Sequence, residues 1–173
     1  MLVVGVGDYK VSDVPAEVIT TYALGSCIGV TIHDPVGRIG GMLHFMLPES
    51  SLDLSKARAR PCMFADTGIV VVLQALRELG AVKSRLQVRL AGGAQMLDAA
   101  GVFNIGKRNY AAVRKILWQS GLMIQSEDVG GTASRTIRLD IASGQTWIRA
   151  TATGDEIGHH SLRTGGQEWQ LMC

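Results

Sequence analysis

Two apolar runs, residues 28–33 and 39–47, flank the five residues Asp34-Pro35-Val36-Gly37-Arg38. Pro and Gly stand at turn-favouring positions between strand-forming residues, so the pattern reads as an antiparallel hairpin. That hairpin constrains more than local structure. It puts Cys27, just before the first run, and His44, near the end of the second, on opposite arms of one ladder. Counted from Gly37, Cys27 lies 37 − 27 = 10 residues back and His44 lies 44 − 37 = 7 residues on. The two therefore fall in neighbouring layers, to within a residue or two of register. Pro48 stops the second arm, and Gly25-Ser26 separates the first from another apolar run, 17–24.

Further elements assemble around this hairpin. Residues 2–6 read as a short strand. Residues 66–79 read as a helix, with Ile69, Val72, Leu73, Leu76 and Leu79 at helical spacing, Asp66 placed to cap it and Gly80 placed to end it. A strand over 86–90 opens into Ala91-Gly92-Gly93-Ala94. A second helix over 108–120 carries Tyr110, Val113, Ile116 and Leu117 on one face, with Gly121 behind it. A strand over 122–126 follows, then a hairpin pairing 136–141 with 146–150. Residues 49–60 are polar and Ser-rich and read as a functional surface loop. After Thr153 the apolar pattern fades. The expectation is a single α+β domain, layered in the α/β sense, of mainly antiparallel sheet with two packed helices. It spans residues 1–153, and 154–173 form a loosely ordered tail.

Composition narrows the function classes. With 173 residues, 47% hydrophobic and 18% charged, the chain is long and apolar enough for one sizeable core and is not a disordered segment. Aromatics are 5%, so aliphatic residues must build that core. The net charge is +2 and Lys and Arg are scattered, which argues against nucleic acid as partner. Three cysteines at irregular spacing, Cys27, Cys62 and Cys173, argue against a disulfide framework. No uncharged apolar run reaches the roughly 18 residues that cross a bilayer. The first ten residues lack a basic segment ahead of a long apolar one. A cytoplasmic protein without membrane insertion is expected.

A lone cysteine is most often a small buried hydrophobe. The Gly25-Ser26 turn before Cys27 and the imidazole across the hairpin point elsewhere, to a nucleophile and its general base. Gly25 permits unusual backbone angles there, and turn N–H groups can face a developing oxyanion. A neighbouring imidazolium would also lower the thiol pKa. His33 competes poorly. It lies 33 − 27 = 6 residues along the same strand, roughly 20 Å at about 3.3 Å per residue, and reads as a turn residue beside Asp34-Pro35. A third group should hold the second nitrogen of His44. Asp34 sits at the far turn, and either Thr20 or Thr21 supplies a hydroxyl; spacing does not choose between them. Gly92-Gly93 and Gly130-Gly131 lack phosphate-loop spacing and read as tight turns or close backbone packing. Cys62, His159 and His160 lack metal spacing, so neither metal nor organic cofactor is expected.

Several motifs in order then carry a resemblance. They are Thr21-x-x-x-Gly25-Ser26-Cys27, Asp34-Pro35, Gly40-Gly41-x-x-His44-x-Met46-Leu47-Pro48 and Ala65-Asp66. Downstream come Ala91-Gly92-Gly93-Ala94-x-Met96, Ile105-Gly106-x-Arg108-Asn109 and Glu127-Asp128-x-Gly130-Gly131-x-x-x-Arg135. Over about residues 1–150 the chain resembles CheD, the chemoreceptor glutamine deamidase family of bacterial chemotaxis. The resemblance implies a layered α/β domain whose site is similar in design to toxin deamidases of the cytotoxic necrotizing factor type. It implies a Cys–His–Thr triad at Cys27, His44 and Thr21, and so selects Thr21 over Thr20. It implies conversion of glutamine to glutamate on receptor cytoplasmic helices, with receptor glutamate methyl esters as a second substrate. It also implies a CheC-like phosphatase as a partner. No motif extends the resemblance past Thr153. The rival reading is a non-catalytic adaptor for receptors or a CheC-like protein. A thiol redox sensor is weakened by the lack of a resolving cysteine nearby in sequence.

Overall fold

The computed structural model describes residues 1–95, 104–151 and 168–172. Among the described residues, ten strands form two five-stranded sheets and three helices lie among them. The first sheet contains β1 (Leu2–Val3), β3 (Val18–Leu24), β8 (Ser134–Asp140), β9 (Thr146–Thr151) and β10 (Gln170–Leu171), in the order β1-β3-β8-β9-β10. The second contains β2 (Asp8–Ser12), β4 (Ile28–Asp34), β5 (Ile39–Phe45), β6 (Gln87–Gly92) and β7 (Ile124–Val129), in the order β2-β5-β4-β6-β7. Pairing is antiparallel except for β1 with β3 and β6 with β7. The α+β domain of mainly antiparallel sheet expected from the sequence is present.

The hairpin that organises the sequence is central to the second sheet. β4 and β5 pair from Ile28 with Phe45 to Asp34 with Ile39, and every residue of both strands is buried. Burial on both faces follows from the two-residue alternation. Ile28, Val30, Ile32, Ile39, Leu43 and Phe45 face the helices and pack with Ile69, Val72, Leu76, Val113 and Leu117. Met42 faces the first sheet and packs with Leu24, Ile137, Leu139 and Ile148. The molecule is therefore layered as sheet, sheet and helices, with His33 and His44 on the inter-sheet side of the hairpin.

The helices α2 (Ala65–Glu78) and α3 (Ile105–Gln119) are the two expected. Both end as the sequence predicts: Ala81 N donates to Leu76 O after Gly80, and Leu122 N to Leu117 O after Gly121. Asp66 does not cap α2. Its carboxylate accepts from the Ser50 amide (2.9 and 3.0 Å) and hydroxyl (2.6 Å), tying the 49–60 segment to the helix start. That segment also contains a short helix, α1 (Leu54–Ala59), whose start is capped by Asp53 accepting from Lys56 N at 2.9 Å.

The chain end differs from the expectation of a loose tail. Residues 168–172 return to the first sheet as β10, and Met172 is buried in the inter-sheet core. Trp169 lies under two guanidinium groups, 4.2 Å from Arg138 and 5.1 Å from Arg149. One aromatic and one methionine suffice to dock a short strand, a signal too brief for periodicity to reveal. His159 and His160 lie outside the described residues.

Candidate active site

Strand β3 belongs to one sheet and β4 to the other, so the linker Gly25-Ser26-Cys27 crosses between them. Before the crossing, β3 is bulged: Thr21 pairs with Ile137 and Leu24 with Arg135, three steps on one strand against two on the other. Ala23 takes a left-handed backbone (φ 55°) inside the bulge. The unusual backbone angle expected at Gly25 thus sits two residues earlier, on a residue that adopts it at a cost.

All three carbonyls of the crossing are taken. Ala94 N donates to Gly25 O (2.8 Å), Asn109 Nδ2 to Ser26 O (3.0 Å) and Gly93 N to Cys27 O (2.8 Å). A trans peptide points its N–H opposite to its C=O. The Ser26 and Cys27 amides therefore point away from Ala94 and Asn109. The approach is close: at Gly92 (φ +110°) a Cβ would stand 2.2 Å from Cys27 O, so no larger residue fits. Gly130 N donates to Gly92 O, and Gln95 N to Gly131 O. Both glycine pairs thus serve close backbone packing around the crossing, as their spacing indicates.

His44 stands opposite Gly29, and Cys27 lies two residues before Gly29. The Cys27 side chain packs against the inter-sheet core, the side on which His44 lies. Thr21 comes from the facing sheet, and its Oγ1 is 2.8 Å from His44 Nδ1 and 2.7 Å from Val4 O. A carbonyl oxygen can only accept, so the Thr21 hydroxyl donates to Val4 and accepts from His44 Nδ1–H. That assigns the tautomer and leaves Nε2 with a lone pair. Nε2 is buried and has no partner among the described residues. Thr20 is spent elsewhere, its hydroxyl donating to Ile137 O at 3.0 Å.

Burial sets the protonation states. Desolvation lowers His44 to about 4. Burial pushes the Cys27 thiol above its ordinary 9.0, against a pull down from its own backbone amide. At neutral pH the pair is thiol and neutral imidazole. Desolvation of His44 disfavours the imidazolium that would depress the thiol.

The remaining sequence candidates lie apart. His33 is not a turn residue: it is a buried position of β4, with Nε2 donating to Ile141 O at 2.9 Å. Asp34 is also buried. Burial alone would raise its carboxyl, but Arg85 at 2.6 Å and the amides of Val82, Gly37 and Val36 hold it well below the usual carboxylate range. Cys62 belongs to the core between sheet and helices, and burial pushes its thiol to about 11. Sequence reasoning gave no role to Asn109, whose Nδ2 also donates to Met46 O at 2.8 Å. One signal was available: Gly106, Asn109, Val113 and Leu117 form the buried stripe of α3, and Asn109 is a polar residue at a core position.

A thiol, an imidazole and a hydroxyl stand near the point where a crossing strand joins two sheets of an α+β domain, and these are the residue types that a cysteine nucleophile with an oriented base requires. Comparison with known proteins gives the class a family. The family model described as CheD chemotactic sensory transduction matches residues 46–150. A protein of Solibacter usitatus named probable chemoreceptor glutamine deamidase CheD is 49% identical over 95% of this chain and 98% of its own. One of the same description from Syntrophus aciditrophicus is 44% identical over 87% of this chain and 94% of its own. The chemoreceptor glutamine deamidase CheD of Thermotoga maritima is 38% identical over 90% and 95%. The chain belongs to the CheD family.

Proposed function

We propose that this protein deamidates glutamine side chains of chemoreceptors to glutamate, with Cys27 as nucleophile, His44 as general base and acid, and Thr21 as the group that orients His44. The observation that carries the reading is the hydroxyl chain from Val4 O through Thr21 to His44 Nδ1. It holds the imidazole in the tautomer whose Nε2 can take a proton.

In the proposed reaction, His44 Nε2 takes the Cys27 proton as the sulfur attacks the glutamine amide carbon. The carbonyl electrons move to oxygen, which the Ser26 and Cys27 amides stabilise. One such donor is worth about 3 kcal/mol in other enzymes. The C–N bond breaks, Nε2–H protonates the departing nitrogen and ammonia leaves a thioester. His44 then deprotonates a water that attacks the thioester, which releases glutamate and restores the thiol. The neutral resting pair suits this sequence, since it avoids isolated charge in a desolvated site before substrate arrives. A methyl ester of glutamate would react by the same steps with methanol leaving. The names of the relatives support the receptor substrate. Action on the cytoplasmic helices of receptors would require the protein in the cytoplasm, and this is the proposed location. No helix among the described residues is long and apolar enough to cross a membrane. A CheC-like phosphatase is the proposed regulatory partner.

Incubating a receptor cytoplasmic fragment with wild-type protein and with Cys27→Ala tests the reading. Mass spectrometry should find amide-to-acid conversion at specific glutamines with the wild type and none with the variant. Conversion undiminished in Cys27→Ala would sink the mechanism.

A further inference from the structure

We infer that Asn109 is a positioning residue for the reaction proposed above, on which this inference rests: its carboxamide aims the Cys27 amide at the place where negative charge develops. The argument starts from satisfaction of hydrogen bonds. Asn109 is wholly buried on α3, and its single Nδ2 donates both of its protons to main-chain carbonyls, Ser26 O at 3.0 Å and Met46 O at 2.8 Å. Ser26 O shares a peptide plane with Cys27 N–H. Met46 O lies two residues past His44, at the end of the other arm of the hairpin. One side chain therefore clamps the peptide that carries the nucleophile's amide to the strand that carries the base.

The Asn109 Oδ1 is buried and has no partner among the described residues. A buried acceptor left unsatisfied costs free energy, about 1–3 kcal/mol in other proteins. A Leu or Met would fill the volume without that cost. What Asn109 adds at this position is its two donors. Both are spent on backbone within two residues of Cys27 and His44. Ser26 and Met46 lie just beyond the last β4–β5 pair, Ile28 with Phe45, so the clamp holds the two chains together where the ladder ends. Without the clamp, the Ser26–Cys27 peptide loses the one direct bond to its own carbonyl, keeping only those on Gly25 O and Cys27 O to either side, and the oxyanion donor is held less firmly before reaction.

The test separates positioning from folding and from nucleophilicity. Alkylation of Cys27 by iodoacetamide is a displacement at a saturated carbon and forms no oxyanion, whereas deamidation does. In Asn109→Ala and in the isosteric Asn109→Asp, which replaces the donor by an acceptor, kcat for deamidation of a receptor fragment should fall about 10- to 100-fold. KM should stay within about twofold, because the clamp touches no substrate. The alkylation rate of Cys27, followed on its own peptide by mass spectrometry and read at its high-pH plateau, should also stay within about twofold of wild type. Retained kcat in a folded variant would overturn the inference. So would a parallel loss of alkylation and deamidation, or failure of both variants to fold, since each makes Asn109 a structural prop. If wild-type deamidation survives Cys27→Ala, the underlying reaction fails instead, which is a separate outcome.

Discussion

At the scale of the residue, the site depends on a hydroxyl that does two jobs. Thr21 donates to Val4 O and accepts from His44, so its loss frees the imidazole to rotate or to take the other tautomer. Thr21→Val keeps the shape and removes both bonds. We expect kcat to fall about 10- to 100-fold, a part of the 10²–10⁴ that general acid–base catalysis supplies. Thermal unfolding of the same variant should move by a few degrees at most. His44 also links the site to stability. Its imidazole is held at about 4 in the fold against 6.5 when exposed. The unfolded chain therefore binds the proton first as pH falls, and stability is lost between pH 6.5 and 4. The loss from pH 7 to pH 5 is about 2 kcal/mol. Urea unfolding at the two pH values should show that difference in wild type and a flatter profile in His44→Gln. An equal slope in both proteins would show that burial does not depress this histidine.

At the scale of the element, the β4–β5 hairpin was legible because it satisfies two independent rules, apolar runs and turn chemistry. The two main helices were legible for the same reason, as periodicity and terminators agreed. What escaped was the short element. β2 was missed because Asp8, Lys10 and Ser12 hide its pairing with β5. α1 was missed because six residues give too few turns for a pattern. The crossing between sheets belongs to this scale as well, and its geometry rests on Gly92. Gly92→Ala sets a methyl group against Cys27 O and forces a side chain into a left-handed backbone. We expect a loss of at least about 2 kcal/mol in stability, together with loss of deamidation, measured by guanidinium unfolding and by glutamate formation. Stability and activity both unchanged would mean that the two loops separate at little cost.

At the scale of the whole molecule, the chain end completes the first sheet. Removing residues 168–173 strips Met172 from the core and Trp169 from its two arginines. We expect a loss of about 2–4 kcal/mol, from one buried side chain and the stacked cations. Deamidation at low temperature should persist, because β8 and β9 separate β10 from β3. A calorimetric Tm equal to that of the full chain would show that β10 adds nothing. This scale also decides how much of the site was readable. The proposed pair, Cys27 and His44, is legible from residue type and one local turn, because a hairpin brings its two arms together through neighbours in sequence. The choice of Thr21 over Thr20 did not emerge from spacing. It needs the facing sheet, where alternation turns Thr21 inward and leaves Thr20 bonded to β8.

By itself the sequence determined the local ladder: which two strands pair across a short turn, where helices stop, and that a thiol just ahead of one arm faces an imidazole on the other to within a residue or two of register. Those are consequences of side-chain period and turn stereochemistry over a few residues. Tertiary structure alone decided the rest. It made the pair neutral by desolvation, set the tautomer through Val4 and Thr21, and recruited Asn109 from a helix 83 residues beyond Ser26. Burial and long-range hydrogen bonds act between segments with no proximity in sequence, so no local pattern contains them.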